Sequence, residues 1–243
     1  MIKSFGGGAR LKKNKLKLFN IRLTISDLIF FYKQISSKKS LMRATHNLYL
    51  KKSINVKGNI ADLGAGKHNT YYEYIGIDKK KLDRYDFYKI DSESNVVDLE
   101  KKFKLKKKYD HIILFNVLEH IYNSEELISS INKNLKKKGK LEIFVPFMFR
   151  YHSDPNDFIR PTHSYLTKLL SKNGFKVKNT LIGVGQMVVI LEIMFQHLKI
   201  SPIKFLIAIF FLLLNKFLNI FSKDFKNYYC GIHCSCVKTD EKN

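Results

Sequence analysis

Residues 59–66 read Asn-Ile-Ala-Asp-Leu-Gly-Ala-Gly, a short apolar run that contains Asp62 and ends in Gly64 and Gly66. The apolar residues favour a buried strand, and the glycines favour a tight turn directly after it. In an open α/β sheet, ligands bind at the carboxyl ends of the strands, where glycine lets the backbone come close to them. A Gly-x-Gly turn alone is weak evidence, because many tight turns contain it.

Around this stretch, short apolar runs alternate with segments of helical periodicity. One helix is predicted to start at Asn123, which forms a capping pair with Glu126, and to stop at Gly139. Another is predicted from Thr162 to Gly174, and two further helices precede the first strand. The strands are predicted at residues 59–63, 74–77, 87–90, 111–115, 141–145, 175–180 and 229–237. This order predicts an α/β fold with a Rossmann-like, doubly wound, mostly parallel seven-stranded sheet.

The chain has 243 residues, which suits one α/β domain with additions. We expect four regions: a basic N-terminal arm and helices (1–57), a core (58–183), an apolar helical insert (184–227), and a final strand with a tail (228–243). The three cysteines have one parity along the last predicted strand and so share a face, and we expect a buried strand rather than a zinc site. The N-terminus lacks the features of a signal peptide, so a cytoplasmic location is predicted.

The net charge is +23, from 44 Lys+Arg against 21 Asp+Glu, and lysine dominates the basic residues. Lysine runs at 101–108 and 136–140 precede predicted strands, which places them at the amino edge of the sheet. A protein that acts on RNA needs its positive surface beside the active site. The charge pattern therefore predicts that nucleic acid is not the partner.

Polar residues end three more of the predicted strands. Asp78 ends the second strand, Asp91 the third and Asn116 the fourth, which outlines a crevice for a nucleoside. A carboxylate there can accept hydrogen bonds from both hydroxyls of a ribose. A nicotinamide dinucleotide requires a third glycine and an acidic residue about 20 residues later. Here Asn69 replaces that glycine and Asp78 lies 12 residues after Gly66, which favours a cofactor without a pyrophosphate.

Four segments in this order, 62–66, 74–78, 109–120 and 135–146, resemble the motifs of class I S-adenosylmethionine-dependent methyltransferases. The resemblance covers about residues 58–180. The segment from Pro146 to Thr162, which includes His152 and Asp157, is similar to the small-molecule and glycan-type branch associated with polysaccharide biosynthesis. Two departures concern the first loop: His68 replaces the family's third glycine, and the chain from Gly64 to Glu73 is short for a crossover helix. We therefore expect the first helix to be a single turn.

The resemblance implies a methyltransferase with S-adenosylmethionine as cofactor and a small polar acceptor, expected to be a glycan or glycolipid hydroxyl. Gly64 and Gly66 would border the methionine part, and Asp62 would help hold its ammonium group. Asp78 would bind the ribose hydroxyls and Asp91 the adenine amino group, with Asp98 as the competitor of Asp91. The full set of predicted cofactor residues is Asp62, Gly64, Gly66, Asp78, Asp91 and Asn116. The alternative for Asp62 and Asp91 is that they cap neighbouring turns.

A hydroxyl acceptor must lose a proton during methyl transfer, and a base with a pKa near neutrality assists this step. His152, paired with Asp157, is the predicted base, and His120 is expected on the other side of the pocket. Alternatively, Asp157 pairs with Arg160 as a loop staple, and His120 only fastens the segment after the fourth strand. A metal held by Glu119, His120 and His152 is also considered, but we expect none, because Asn116 stands where a further carboxylate ligand would help.

The insert contains the charge-free run 205–215, which would span only about 16 Å as a helix, against roughly 30 Å of hydrocarbon. A helix in the membrane interface or over a lipid-like substrate fits better than a full span, and a buried helix pair is the alternative. We therefore expect peripheral membrane contact through 203–221, at the inner face of the membrane. The alternatives to the proposed activity are an RNA or quinone-type methyltransferase, and a non-catalytic membrane-surface binding module with a relic cofactor pocket.

Overall fold

The computed structural model describes residues 24–67, 71–195, 201–221 and 227–239. The expectations for the arm before residue 24, and for His68 and Asn69, lie outside these residues.

The core of the fold is a seven-stranded sheet in the order β3-β2-β1-β4-β5-β7-β6. Strands β1 to β5 run parallel to one another, and β7 is antiparallel to both β5 and β6. This confirms the predicted α/β class with a mostly parallel sheet. The strands are β1 Ile60–Leu63, β2 Leu82–Asp86, β3 Ser94–Val96, β4 Tyr109–Phe115, β5 Leu135–Pro146, β6 Phe175–Val184 and β7 Tyr229–Lys238.

Helices cover both faces of the sheet. They are α1 Ile25–Ser36, α2 Leu41–Ser53, α3 Ser124–Asn134, α4 His163–Lys172, α5 Gln186–Phe195 and α6 Ser201–Phe221. Buried residues of α3 and α4, such as Leu127 and Leu166, pack on one face of the sheet. Residues of α1, α2, α5 and α6, such as Phe31, Leu50 and Val188, form the core of the other face. The N-terminal helices and the apolar insert of the prediction thus both contribute to this second core.

The described residues between β1 and β4 contain no α-helix. The chain from β1 to β2 has two short 3-10 turns, Tyr71–Glu73 and Lys79–Lys81, which agrees with the expected single turn. The described parts of the connections in this half of the sheet are therefore loops and short turns, whereas the β4–β5 and β5–β6 connections carry α3 and α4.

The predicted second and third strands are wrong. Residues 74–77 form a turn, because Gly76 has a left-handed backbone (φ +68°) and the Asp78 side chain accepts a hydrogen bond from the Lys80 amide at 3.1 Å. Residues 87–90 form a loop, and the Ser94 hydroxyl accepts hydrogen bonds from the amides of Ile90 and Asp91. The strands lie later in the chain, as β2 and β3.

Helix α3 starts at the predicted cap but ends before Gly139. Asn134 terminates it, since its side-chain amide donates to the Ser130 carbonyl and its side-chain oxygen accepts from the Leu105 amide at 2.8 Å. Leu135 then pairs with Tyr109 in the sheet, so Gly139 lies inside β5 and supplies no helix stop. Helix α4 has the predicted cap at Thr162, whose hydroxyl accepts from the Tyr165 amide.

The three cysteines are buried and free, as the buried-strand prediction requires. Cys234 and Cys236 pack in the core beneath α3 and α4, and Cys230 packs in the opposite core. The shared face expected for all three therefore holds only for Cys234 and Cys236. In the described part of the chain, no helix is both long enough and apolar enough to cross a membrane.

Asp27 joins α1 to α2. It caps α1 together with Thr24, and its buried carboxylate also forms an ion pair with Lys52 of α2. Burial raises the pKa of Asp27, but hydrogen bonds from Lys52 and Thr24 outweigh this effect and lower the pKa to about 2. A charged Asp27 therefore stabilises the packing of the two N-terminal helices.

We predict that Asp27→Asn destabilises the protein by about 1–3 kcal/mol at pH 7, since a charge-assisted contact is lost. The pKa of Asp27 in the folded protein lies below its ordinary value of 3.8, so this stabilisation is complete above about pH 4 and is lost as the pH falls toward about 2. Urea unfolding at several pH values should show a constant difference from wild type between pH 7 and about pH 4, and a difference that narrows as the pH falls toward about 2. Glu125→Gln, which breaks an exposed ion pair with Lys172, is the control and should cost little.

Candidate functional site

The turn after β1 holds two glycines in a left-handed conformation. Gly64 has φ +71° and Gly66 has φ +59°, which residues with a side chain rarely adopt. The amide of Gly64 donates to the Tyr85 carbonyl at 2.9 Å, which ties the turn to β2. A Cβ at Gly64 would lie 2.3 Å from Val117 Cγ2, whereas a Cβ at Gly66 would meet nothing within 4 Å. Gly64 is therefore required by packing, and Gly66 faces open space.

Asp86 is the acidic residue at the carboxyl end of β2. Its Oδ2 accepts a hydrogen bond from the Gly66 amide at 2.9 Å, across 20 residues of sequence. Asp78, predicted for this position, lies instead in the turn before β2, where it caps residues 79–81. The prediction that Asp78 ends the second strand is wrong, and Asp86 takes that place. Asp86 lies 20 residues after Gly66, which is the spacing of a dinucleotide site, so the spacing does not exclude a dinucleotide.

Asp91 does not end the third strand, which is a second correction. It precedes β3, and its exposed carboxylate receives two hydrogen bonds from Arg84, at 2.8 and 2.6 Å. These hydrogen bonds lower the pKa of Asp91. The competitor Asp98 follows the end of β3 by two residues and pairs with Lys101 at 2.9 Å. Asp98 is thus the carboxylate that follows the carboxyl end of β3, and Asp91 is a partner of Arg84.

Asp62 and Asn116 belong to the same region of the sheet. Asp62 is fully buried, and its Oδ2 accepts hydrogen bonds from the hydroxyls of Tyr71 and Tyr72, each at 2.5 Å. This contact fixes the short turn that replaces a crossover helix. Asn116 ends β4 with φ +55°, and its amide donates to the Phe144 carbonyl at 2.9 Å.

The structure therefore brings Gly64, Gly66, Asp86 and Asn116 to one edge of the sheet. Val117, next to Asn116, is the contact that links β4 to the glycine turn. A cleft of about 300 Å³ adjoins Gly66. Its lining residues are Gly66, Lys67, Tyr72, Lys79, Leu82, Arg84 and Glu93.

Three further side chains, Glu119, His120 and His152, form what we call the histidine cluster. Glu119 and His120 lie in the 3-10 turn Leu118–His120 after β4, and His152 lies in the loop after β5. Oε1 of Glu119 is 3.8 Å from Nε2 of His120 and 3.9 Å from Nε2 of His152. One ligand atom from each lies within 4.8 Å of the others, and among the described residues this is the group that could hold a metal ion.

Glu119 has an unusual environment within this cluster. Its side chain has no exposed area, and neither carboxyl oxygen has a hydrogen-bond partner. Burial raises the pKa of Glu119 to about 8. Near neutral pH the carboxyl group is therefore mostly protonated, and it can donate a hydrogen bond toward an imidazole nitrogen.

The loop after β5 is held by Asp157 and Arg160. Both guanidinium ends of Arg160 contact the Asp157 carboxylate, which also accepts a hydrogen bond from the His152 amide at 2.9 Å. Burial raises the pKa of Asp157, but the hydrogen bond from Arg160 outweighs it, so the net shift is downward. The ion pair between Asp157 and Arg160, which was the alternative from the sequence, is thus present. Asp157 Oδ2 also lies 3.5 Å from His152 Nδ1, so it positions His152 as well.

His120 meets His152 from the β4 side. The two rings have centroids 5.1 Å apart and stand nearly perpendicular. His120 Nδ1 lies 2.5 Å from the Asn156 carbonyl oxygen, and the Phe158 amide donates to the Glu119 carbonyl at 2.7 Å. The β4 turn and the β5 loop are therefore joined at the cluster. Sequence analysis named all three residues but gave no sign that Glu119 is buried without a partner.

Comparison with known proteins adds a family and several similar folds. The sequence model of a family described as "Methyltransferase domain" matches residues 36–180. No curated protein matches the sequence.

Among solved structures, the fold is similar to an S-adenosylmethionine dependent methyltransferase from Mesorhizobium loti, with TM-score 0.51, 10% identity, and coverage of 81% of this chain and 98% of the other. It is also similar to the 4+2 cyclase SpnF, with TM-score 0.51, 11% identity, and coverage of 88% and 93%. A third is phosphoethanolamine N-methyltransferase 2 from Haemonchus contortus, in complex with phosphomonomethylethanolamine and S-adenosylhomocysteine, with TM-score 0.50, 12% identity, and coverage of 90% and 59%. At these identities the likeness concerns the fold.

The two glycines provide a test of this geometry. We predict that Gly64→Ala destabilises the protein by about 3 kcal/mol, from left-handed strain and the clash with Val117. Gly66→Ala should cost only about 1 kcal/mol, because it carries the same strain but no clash. Urea unfolding of both variants measures the difference. Equal losses would contradict the packing of Val117 against the turn.

Proposed function

The chain belongs to the methyltransferase domain family, and we propose that it is an enzyme that transfers a methyl group from S-adenosylmethionine to a hydroxyl of a glycan or glycolipid. Family membership supports the enzyme class. The cofactor is further supported by structural neighbours that are S-adenosylmethionine dependent or contain S-adenosylhomocysteine. The acceptor class goes beyond these comparisons and rests on the resemblance of the segment 146–162.

The observation that carries the proposal is the contact between Gly66 and Asp86 at the tips of β1 and β2. The open space at Gly66 leaves room for a ligand, and Asp86 keeps further lone pairs for two ribose hydroxyls. We assign Gly64 and Gly66 to the methionine part, Asp86 to the ribose and Asp98 to the adenine amino group. The residues present therefore fit the cofactor.

Two neighbouring residues complete this side of the site. Phe87 directly follows Asp86 and is 54% exposed, so its ring offers an apolar face for the adenine. Asn116 lies at the end of β4, beside the glycine turn, where its amide side chain offers one more polar contact. Asp62 is buried, and in this proposal it supports the site by accepting hydrogen bonds from Tyr71 and Tyr72 rather than by touching the cofactor.

When bound, S-adenosylmethionine would supply a methyl group on a positively charged sulfur, with S-adenosylhomocysteine as the leaving group. The chain must orient the acceptor hydroxyl and take its proton. His152 is partly exposed and is the base in this proposal, with His120 at its side. Asp157 is a positioning residue, since it fixes the backbone of His152 and neighbours its Nδ1.

Two lysines of the long lysine runs lie away from the glycine turn, which favours a small acceptor over RNA. Lys107 pairs with Asp83 near the start of β2, and Lys136 pairs with Asp110 near the start of β4, both at 2.9 Å. These lysines lie at the amino edge of the sheet, opposite the edge that carries Gly66 and Asp86. A glycolipid acceptor would keep the enzyme in the cytoplasm at the inner face of the membrane, in contact through 203–221.

We predict that Asp86→Ala weakens the binding of S-adenosylhomocysteine by about tenfold or more, because the ribose loses a charged acceptor. Asp78→Ala is the matched control, since Asp78 lies in the turn before β2. This variant should bind S-adenosylhomocysteine with the affinity of wild type. Isothermal titration of the folded variants measures both. A folded wild type that binds no cofactor would favour the non-catalytic binding module, and a loss confined to Asp78→Ala would refute the assignment of Asp86.

We further predict that His152→Ala lowers kcat by about 100-fold or more while cofactor affinity stays unchanged, because only acceptor deprotonation is affected. His163→Ala, an exposed histidine at the start of α4, is the control. Transfer of labelled methyl groups to a panel of glycans and glycolipids measures the rate and identifies the acceptor. An unchanged kcat in His152→Ala would show that His152 is not the general base.

A further inference from the structure

Helix α6 exposes one continuous apolar stripe. The members are spaced three or four residues apart, so they lie along one side of the helix over about 26 Å. They are Ile203, Leu206, Phe210, Leu213, Phe217 and Ile220, each between 46% and 76% exposed. The opposite side, which includes the buried Ala208 and Asn215, packs on the protein. The stripe is therefore the more exposed side of α6.

Helix α1 extends this apolar surface. Ile25 and Ile29 are 78% and 52% exposed, and Tyr32 continues the same side of the helix. The ring of Tyr32 contacts Phe205 of α6 with centroids 5.2 Å apart, so the two helices lie side by side. We call the six-residue stripe together with Ile25 and Ile29 the α1–α6 face.

Positive charge surrounds this face in the sequence. Residues 193–223 contain lysines but no Asp or Glu, so α6 has no acidic residue. The 23 residues that lead into α1 contain seven Lys or Arg and no acidic residue. An apolar stripe flanked by basic residues is the composition of a surface that lies on an anionic bilayer.

We propose that the α1–α6 face docks on an anionic lipid bilayer, with the apolar stripe in the interface and the basic residues near the lipid headgroups. This inference deepens the proposed function, because a glycolipid acceptor lies in such a bilayer. Docking itself requires neither the cofactor nor methyl transfer. A second copy of the chain is a poorer occupant, since two chains that each carry a charge of +23 repel one another.

Co-sedimentation with vesicles tests the proposal on the full chain. Wild type should bind vesicles of phosphatidylcholine and phosphatidylserine about tenfold more tightly than vesicles of phosphatidylcholine alone. The double variant Leu206→Ser/Phe210→Ser should lose about tenfold or more in affinity for the mixed vesicles. The control Val96→Ser/Tyr165→Ser removes two similarly exposed apolar side chains elsewhere and should bind as wild type.

Other outcomes would overturn the proposal. Equal binding of Leu206→Ser/Phe210→Ser and wild type would remove the stripe from the interface. If wild type does not bind vesicles but forms a dimer, and Leu206→Ser/Phe210→Ser does not dimerise, the α1–α6 face would be assigned to a second copy of the chain. Titration with S-adenosylhomocysteine separates this result from the proposed function, since the double variant should bind the cofactor as wild type does.

Discussion

The hydrogen bond from the Gly66 amide to the Asp86 carboxylate is the contact on which the site depends. It joins the tips of two parallel strands, and it requires a left-handed turn that only glycine forms without strain. The same turn leaves room at Gly64 for Val117, which begins the segment after β4. That segment continues into Glu119 and His120. The turn after β1 and the histidine cluster are therefore linked through one backbone conformation.

The histidine cluster shows how two loops share one buried group. Glu119 has no hydrogen-bond partner, and burial keeps its carboxyl mostly protonated near neutral pH. An ionised carboxylate there would face a large desolvation cost, which a neutral group avoids. Arg160 and Asp157 hold the second loop against this group, so the position of His152 follows from an ion pair on the loop.

The sequence allowed the fold class, β1, β4 to β7 and the glycine turn to be predicted, because long apolar runs and capping residues marked them. The position of β2 could not be predicted from an apolar run, because Leu82–Asp86 has three charged residues and one buried residue, Tyr85. The more apolar run 74–77 was preferred, although Gly76 turns the chain there. The carboxylate at the end of the second strand is therefore Asp86 and not the predicted Asp78. The burial of Glu119 could not be predicted, since it arises where two loops distant in sequence meet.

The absence of an α-helix from the described connections between β1 and β4 has a thermodynamic consequence. Strands β2 and β3 share a ladder of three residue pairs, and the exposed Arg84–Asp91 pair ties the loop between them. Regions with few buried contacts open by local unfolding at a lower free energy than the rest of a domain. This edge, which carries Asp86 and Asp98, should exchange its amide hydrogens first in the free protein. Occupation of the crevice would then slow that exchange, so ligand affinity includes the work of ordering two strands.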